Sequence, residues 1–165
     1  MTHSRPVNVR LFKSSDLEQL LELNNAAVPA VNELTAEELK ALVEISLGCF
    51  VAELEGVVAG FLLGLSEGQN YDSQNYIWLS EHRPRFAYTD RICVDEQARG
   101  NRIGEKLYEA LFDAQRGSGR SFVCEVNERP PNPGSVKFHS RLGFSEIGRK
   151  DHGEKAVVYM ERPND

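Results

Sequence analysis

Read for the spacing of its apolar residues, the chain alternates between short strands and amphipathic helices. Val7 to Phe12 alternates well enough to predict a first strand. Ser15-x-x-Glu18 then has the form of a capping box. It opens a helix with Leu17, Leu20, Leu21 and Asn24 on one face, widened by Leu23 and Ala27 and ended by Pro29. A second box, Thr35-x-x-Glu38, starts a helix whose stripe is Ala36, Leu39, Leu42, Val43 and Leu47, with Gly48 at its stop. The linker Val28 to Leu34 between them either lines a pocket or only connects. Cys49 to Leu54 and Val57 to Leu65 flank Glu55-Gly56 and predict a hairpin.

From Ser66 to Arg85 the pattern is polar and turn-rich, and the connection is long for a compact domain. It carries Tyr71, Tyr76, Trp78 and His82 interleaved with Asn70, Asp72, Asn75 and Arg83. Two readings stand: a pocket in which Tyr71 and Trp78 contact a ligand, or a short helix that packs its rings on the core. Phe86 to Val94 is a β-branched and aromatic strand. The helix after it repeats Ile103, Leu107, Ala110, Leu111 and Ala114 on one face until Gly117-Ser118-Gly119. Ser121 to Val126 follows a helical crossover and so predicts a strand parallel to the previous one. Asn132 is placed as a helix N-cap with Pro133 at the first helical position, and the helix Gly134 to Leu142 stops at Gly143. Phe144 to Lys150 and Ala156 to Arg162 close the chain as a hairpin.

Composition narrows the class. With 165 residues, 41% hydrophobic and 27% charged, the sequence reads as one soluble globular domain over 1–165. No stretch reaches the length of a membrane span, and the polar start Met1 to Pro6 is not followed by a signal core, so the expected location is cytoplasmic. Cys49, Cys93 and Cys124 are scattered, without a Cys-x-x-Cys pair or clustered histidine. They read as buried thiols and not as a metal site or disulfide framework, while a catalytic thiol stays open. A net charge of −6 argues against nucleic acid as partner.

The chemistry concentrates in Asp90 to Leu107, where a strand turns through a basic, glycine-containing loop into a helix. The first N–H groups of a helix have no intrahelical partner and carry the positive end of its dipole, so they suit an anion. Gly100 and Gly104 present no Cβ, and Arg99 and Arg102 add charge. The loop is neither Gly-Lys-Ser/Thr nor G-x-G-x-x-G. The alternative, taken alone, is that its glycines only form a tight turn.

Gln97 with Arg99-Gly100-Asn101-Arg102-Ile103-Gly104 resembles the Arg/Gln-x-x-Gly-x-Gly/Ala signature of the GNAT superfamily of N-acyltransferases, with Arg102 where the middle glycine usually lies. Asn132-x-x-Ser135-x-x-Phe138-His139-x-x-Leu142-Gly143-Phe144 resembles that superfamily's second signature, with His139 in the place of the usual tyrosine. The resemblance covers nearly the whole chain. It implies an α/β fold of order β-α-α-β-β-β-α-β-α-β-β, whose mixed sheet is splayed between the strands ending at Val94 and Val126. Acetyl-CoA would lie in that split as co-substrate, with no metal. Its pantetheine arm and thioester would meet the backbone of Ile92, Cys93 and Val94, its pyrophosphate the loop from Arg99 to Gly104, and Asn132 would support it.

The implied reaction is direct attack of an amine on the thioester. His139 is the general-acid candidate, with a plain helix histidine as the alternative. Asp90 is the base candidate, against a strand-end ion pair with Arg91, and Glu125 is the reserve base and substrate contact. The expected acceptor is a primary amine of a small molecule; a protein or peptide amine and a non-catalytic CoA-binding module are the alternatives, and a homodimer stays open.

Overall fold

The computed structural model describes residues 5–164. Seven strands and five helices follow one another as β1 (Val7–Leu11), α1 (Leu17–Ala26), α2 (Ala36–Ile45), β2 (Gly48–Leu54), β3 (Val57–Ser66), α3 (Gln74–His82), β4 (Phe86–Val94), α4 (Ile103–Ala114), β5 (Ser121–Arg129), α5 (Pro133–Arg141), β6 (Ser145–Asp151) and β7 (Ala156–Arg162). The sheet runs in the order β1-β2-β3-β4-β5-β7-β6. The α/β class and the succession of strands follow the sequence pattern, with one helix added between β3 and β4. None of the described helices is long and apolar enough to cross a membrane.

The residues gather into two compact units divided inside β4: one runs to Leu65 and adds Asp90–Ala114, the other comprises Ser66–Thr89 and everything from Gln115. In the first unit, β1, β2 and β3 are antiparallel, paired Val7 with Leu54 and Gly48 with Gly64 at their ends. Their alternation buries Val51, Phe61 and Leu63 completely, and Leu20, Leu39, Leu107 and Leu111 supply the helical side of the same core. The Thr35 box forms as expected: Glu38 N–H donates to Thr35 Oγ1 at 3.1 Å, and Thr35 N–H to Glu38 Oε1 at 2.9 Å. The Ser15 box does not form. The competing acceptor is Asp16, which is buried, takes the Lys13 N–H at 2.8 Å and grips the Arg10 guanidinium at 2.7 and 2.9 Å, so the chain enters α1 through a 3-10 turn. Arg10 holds the Asp16 carboxyl below the ordinary aspartate range. Gly48 begins β2 instead of ending a helix; α2 already stops at Ile45, with Ser46 as its C-cap.

In the second unit, β4 and β5 run parallel with Phe86, Ala87 and Tyr88 registered on Ser121, Phe122 and Val123. The last hairpin returns so that β7, not β6, lies antiparallel to β5, with Glu125 opposite Tyr159. The connection from Ser66 to Arg85 folds as the short helix α3. Ser73 caps it by accepting the Tyr76 N–H, and Tyr76 and Leu79 are buried beneath it. The Tyr76 hydroxyl donates to the Ser66 carbonyl at 2.7 Å and accepts the Gln69 N–H at 2.8 Å, which pins the start of the connection.

Candidate active site

The first unit contains the basic loop. After Val94 the Asp95 N–H returns to the Ala59 carbonyl at 2.8 Å, so β4 stays tied to β3 up to the turn. Asp95 Oδ1 accepts the Gln97 N–H at 2.9 Å and starts a 3-10 turn, Glu96–Ala98, that sequence periodicity did not reveal. Gly100 follows with φ +87° and no described atom within 4 Å of where a Cβ would stand, so this face of the loop is open to a ligand. Asn101 Nδ2 clasps the Ala98 carbonyl at 2.8 Å.

Arg102 has φ 60° and its carbonyl accepts the first helical N–H, from Lys106 at 3.0 Å. A left-handed arginine costs about 1–2 kcal/mol, which is the physical reason the resembling signature has glycine at this position. Its side chain does not fold into the turn: 75% exposed, it reaches Glu105 at 2.9 Å, while Arg99, 77% exposed, stands 3.7 Å from Glu96. Ile103 and Gly104 form the first turn of α4, whose N–H groups complete an anion cradle. The residues present therefore fit a pyrophosphate.

Upstream on β4, Asp90 and Arg91 form an ion pair at 2.7 Å with both side chains only 4% exposed. The guanidinium also donates to Asn24 Oδ1 at 2.8 Å and Asn32 Oδ1 at 3.0 Å, and Asn25 brackets Leu34 through its N–H and its carbonyl. This ties the connection between α1 and α2 to β4. The sequence clue was Asn24, a polar residue on an otherwise apolar helix face. Cys93 and Cys49 are buried, and burial pushes their thiols up to about 11 and about 12, so neither supplies a thiolate near neutral pH. Close packing holds the Cys93 backbone: a Cβ at Gly60 would lie 3.0 Å from its carbonyl oxygen and 3.1 Å from Ile103 Cγ2.

In the second unit a polar cluster surrounds Glu125. Its Oε1 accepts the Tyr88 hydroxyl at 2.8 Å and Asn75 Nδ2 at 3.0 Å, and Asn75 Oδ1 accepts the Tyr159 hydroxyl at 2.8 Å. Tyr88 and Tyr159 are buried, and Trp78 stacks on Tyr159 with ring centroids 3.9 Å apart and on His82 at 3.7 Å. Gly148 makes room for that indole, since a Cβ there would lie 2.5 Å from it. Burial, then the Glu125 charge, raises the Tyr159 phenol to about 12. Trp78 and Glu125, both named from sequence, are thus joined through Tyr159 and Asn75. Tyr71 meets Tyr76 edge-on at 5.6 Å. Sequence reasoning missed Tyr88 and Tyr159 because a strand tyrosine reads the same whether its hydroxyl works or merely packs.

On α5, Asn132 Oδ1 accepts the Ser135 N–H at 3.2 Å, the predicted cap. One turn on, buried His139 donates from Nδ1 to the Ser135 carbonyl at 2.8 Å, with Phe138 and Phe144 edge-on to its ring. A carbonyl can only accept, so Nδ1 carries the proton and the neutral ring offers a lone pair at Nε2. Burial lowers the imidazole below its ordinary 6.5. Near neutral pH its one N–H is thus already given to Ser135.

The family model described as the acetyltransferase (GNAT) family matches residues 17–144. An uncharacterized N-acetyltransferase of Methanocaldococcus jannaschii is 31% identical over 100 residues, 60% of this chain and 39% of that protein. The chain therefore spans about two-fifths of the length of the curated relative it matches. Among solved structures, the ribosomal-protein-S18-alanine N-acetyltransferase of Escherichia coli superposes with a TM-score of 0.72 at 17% identity, covering 96% of this chain and 94% of that one. Ard1 of Thermoplasma volcanium gives 0.75 at 18% identity, covering 95% and 97%. The yncA protein of Salmonella typhimurium, determined with its cofactor acetyl-CoA, gives 0.72 at 19%, covering 96% and 94%. At these identities the structures establish the shared fold.

Proposed function

The chain belongs to the acetyltransferase (GNAT) family, and on that premise we propose that it uses acetyl-CoA to acetylate the primary amine of a small molecule by direct attack in a ternary complex. Acetyl-CoA supplies an activated acetyl thioester. In this reading Arg99, Gly100, Asn101, Arg102, Ile103 and Gly104 hold its pyrophosphate, and the backbone of Ile92, Cys93 and Val94 holds its arm. The amine nitrogen bonds to the acetyl carbon, the carbon–sulfur bond breaks, and the ammonium proton leaves for a base.

The observation that carries the acceptor assignment is the Glu125 cluster. A carboxylate that accepts a phenol and an amide on one oxygen, set opposite Tyr159 with Trp78 stacked on that ring, has the chemistry to bind an ammonium and take its proton. We assign the proton to Glu125 ahead of Asp90, whose carboxylate is engaged by Arg91. The raised thiols of Cys49 and Cys93 favour direct attack over an acyl-enzyme. His139 in this reading orders α5, and only its protonated minority can act as an acid.

The test is release of CoA thiol from acetyl-CoA with tyramine, spermidine and a tripeptide with a free N-terminus, in parent and Glu125→Gln. Turnover of a small amine, lost in the variant, is expected. Turnover of the tripeptide alone would overturn the small-molecule assignment, and none with any amine would overturn the acceptor reading altogether.

A further inference from the structure

The connection between β3 and β4 brings the half-buried Asn75 against the strands of the second unit, and it does so from a helix the strand pattern did not require. Asn75, in the first turn of α3, uses both ends of its amide: Nδ2 donates to Glu125 Oε1 at 3.0 Å and Oδ1 accepts the Tyr159 hydroxyl at 2.8 Å. An amide has distinct donor and acceptor ends, and the ionised Glu125 carboxylate, which can only accept, takes the Nδ2 end. Oδ1 is then left to the Tyr159 hydroxyl, which donates to it and braces the amide in that orientation. The phenol is itself held by its stack on Trp78, from the same helix, and by its place opposite Glu125 in the β5–β7 pairing.

We propose that Asn75 is a positioning residue for the acceptor amine: locked by Tyr159, it holds the Glu125 carboxylate in the orientation that receives the ammonium. The inference rests on the acceptor reading above and names what sets its geometry. Glu125 accepts from the Tyr88 phenol of β4 and the neutral Asn75 amide of α3, and its charge acts on the Tyr159 phenol of β7. With the Tyr159 phenol raised to about 12, it remains a donor across the working range, so the lock does not open with pH. Exchanging Asn75 for Ala removes a donor to the charged carboxylate, exchange for Asp adds a like charge beside it, and Tyr159→Phe removes the donor that braces the amide.

The experiment follows the Glu125 resonance in protein labelled with carbon-13 at the glutamate carboxyl, assigned by its loss in Glu125→Gln, together with kcat/KM for tyramine and KM for acetyl-CoA. The titration midpoint of Glu125 is expected to rise by roughly one pH unit in Asn75→Ala, further in Asn75→Asp, and by less in Tyr159→Phe. At pH 7, kcat/KM for tyramine should fall about tenfold in Asn75→Ala with the acetyl-CoA KM unchanged. A purely structural Asn75 would lower the melting temperature and leave the midpoint in place. An unmoved midpoint in folded Asn75→Asp and Tyr159→Phe overturns the proposal, as does a moved midpoint with unchanged kcat/KM. If the parent turns over no amine while the midpoints move as described, the acceptor reading fails and the hydrogen-bonded lock stands.

Discussion

Asp90→Asn separates a base from an ion-pair partner, because the two roles predict opposite combinations of stability and activity. The substitution keeps the shape and an acceptor oxygen toward Arg91 Nε, now 2.7 Å away, and removes the negative charge. Both side chains of the pair are 4% exposed, so the guanidinium would be left buried with the neutral acceptors Asn24 and Asn32 at 2.8 and 3.0 Å. Breaking a buried pair by removing one partner costs about 3–5 kcal/mol, and the retained acceptor places this case at the low end, about 3 kcal/mol. For a chain of this length that corresponds to a fall in melting temperature of roughly 6–12 °C.

Calorimetric unfolding and urea titration measure the loss. Combining Asp90→Asn with Arg91→Met removes both charges and should restore about half of it, since Asn24 and Asn32 lose their donor. Acetyl transfer by Asp90→Asn should change by the same factor at every pH. A variant within about 1 kcal/mol of the parent, inactive near neutral pH and rescued in alkali where solvent supplies free amine, would refute the ion-pair reasoning and make Asp90 the base.

Gly60→Val should cost about 1–3 kcal/mol in urea unfolding, because its new atoms meet the Cys93 carbonyl oxygen at 3.0 Å and Ile103 Cγ2 at 3.1 Å, and a backbone atom cannot turn aside; a parent-like midpoint would mean that β3 and α4 separate freely. Gly100→Val should leave the fold standing, since nothing lies within 4 Å of the new Cβ, but its φ of +87° penalises a branched residue and should weaken acetyl-CoA binding about tenfold or more. Isothermal titration showing parent-like affinity would remove the loop from the site. Burial holds His139 below 6.5 in the folded chain, so between its lowered value and 6.5 the unfolded chain binds the extra proton and stability rises with pH. Stability should therefore be lost as pH falls below 6.5 toward the lowered value, and His139→Phe should flatten that slope; an unchanged slope would place the titrating group elsewhere.

The sequence alone determined the strands, four of the five helices and the basic loop, because each is a local property. Period-two and period-3.6 patterns, the Thr35 box, the Asn132 cap and the Glu55-Gly56 turn depend on residues within a few positions of one another. The two signature segments likewise lie in continuous sequence, so the family match over residues 17–144 bears out the resemblance. What local pattern could not decide is which partner wins when several are equally close. Ser15 lost its cap to Asp16 because Arg10, across the turn, makes that carboxylate the better acceptor. The aromatic stretch from Ser66 to Arg85 became a helix because β7 offers Tyr159 as a stacking surface for Trp78. Likewise Glu125 takes donors from Asn75 on α3 and Tyr88 on β4, fifty and thirty-seven residues away in sequence. Hydrogen bonds of that kind are chosen by which side chains the sheet order places face to face, and the order β5-β7-β6 is a tertiary fact that no stretch of the chain encodes by itself.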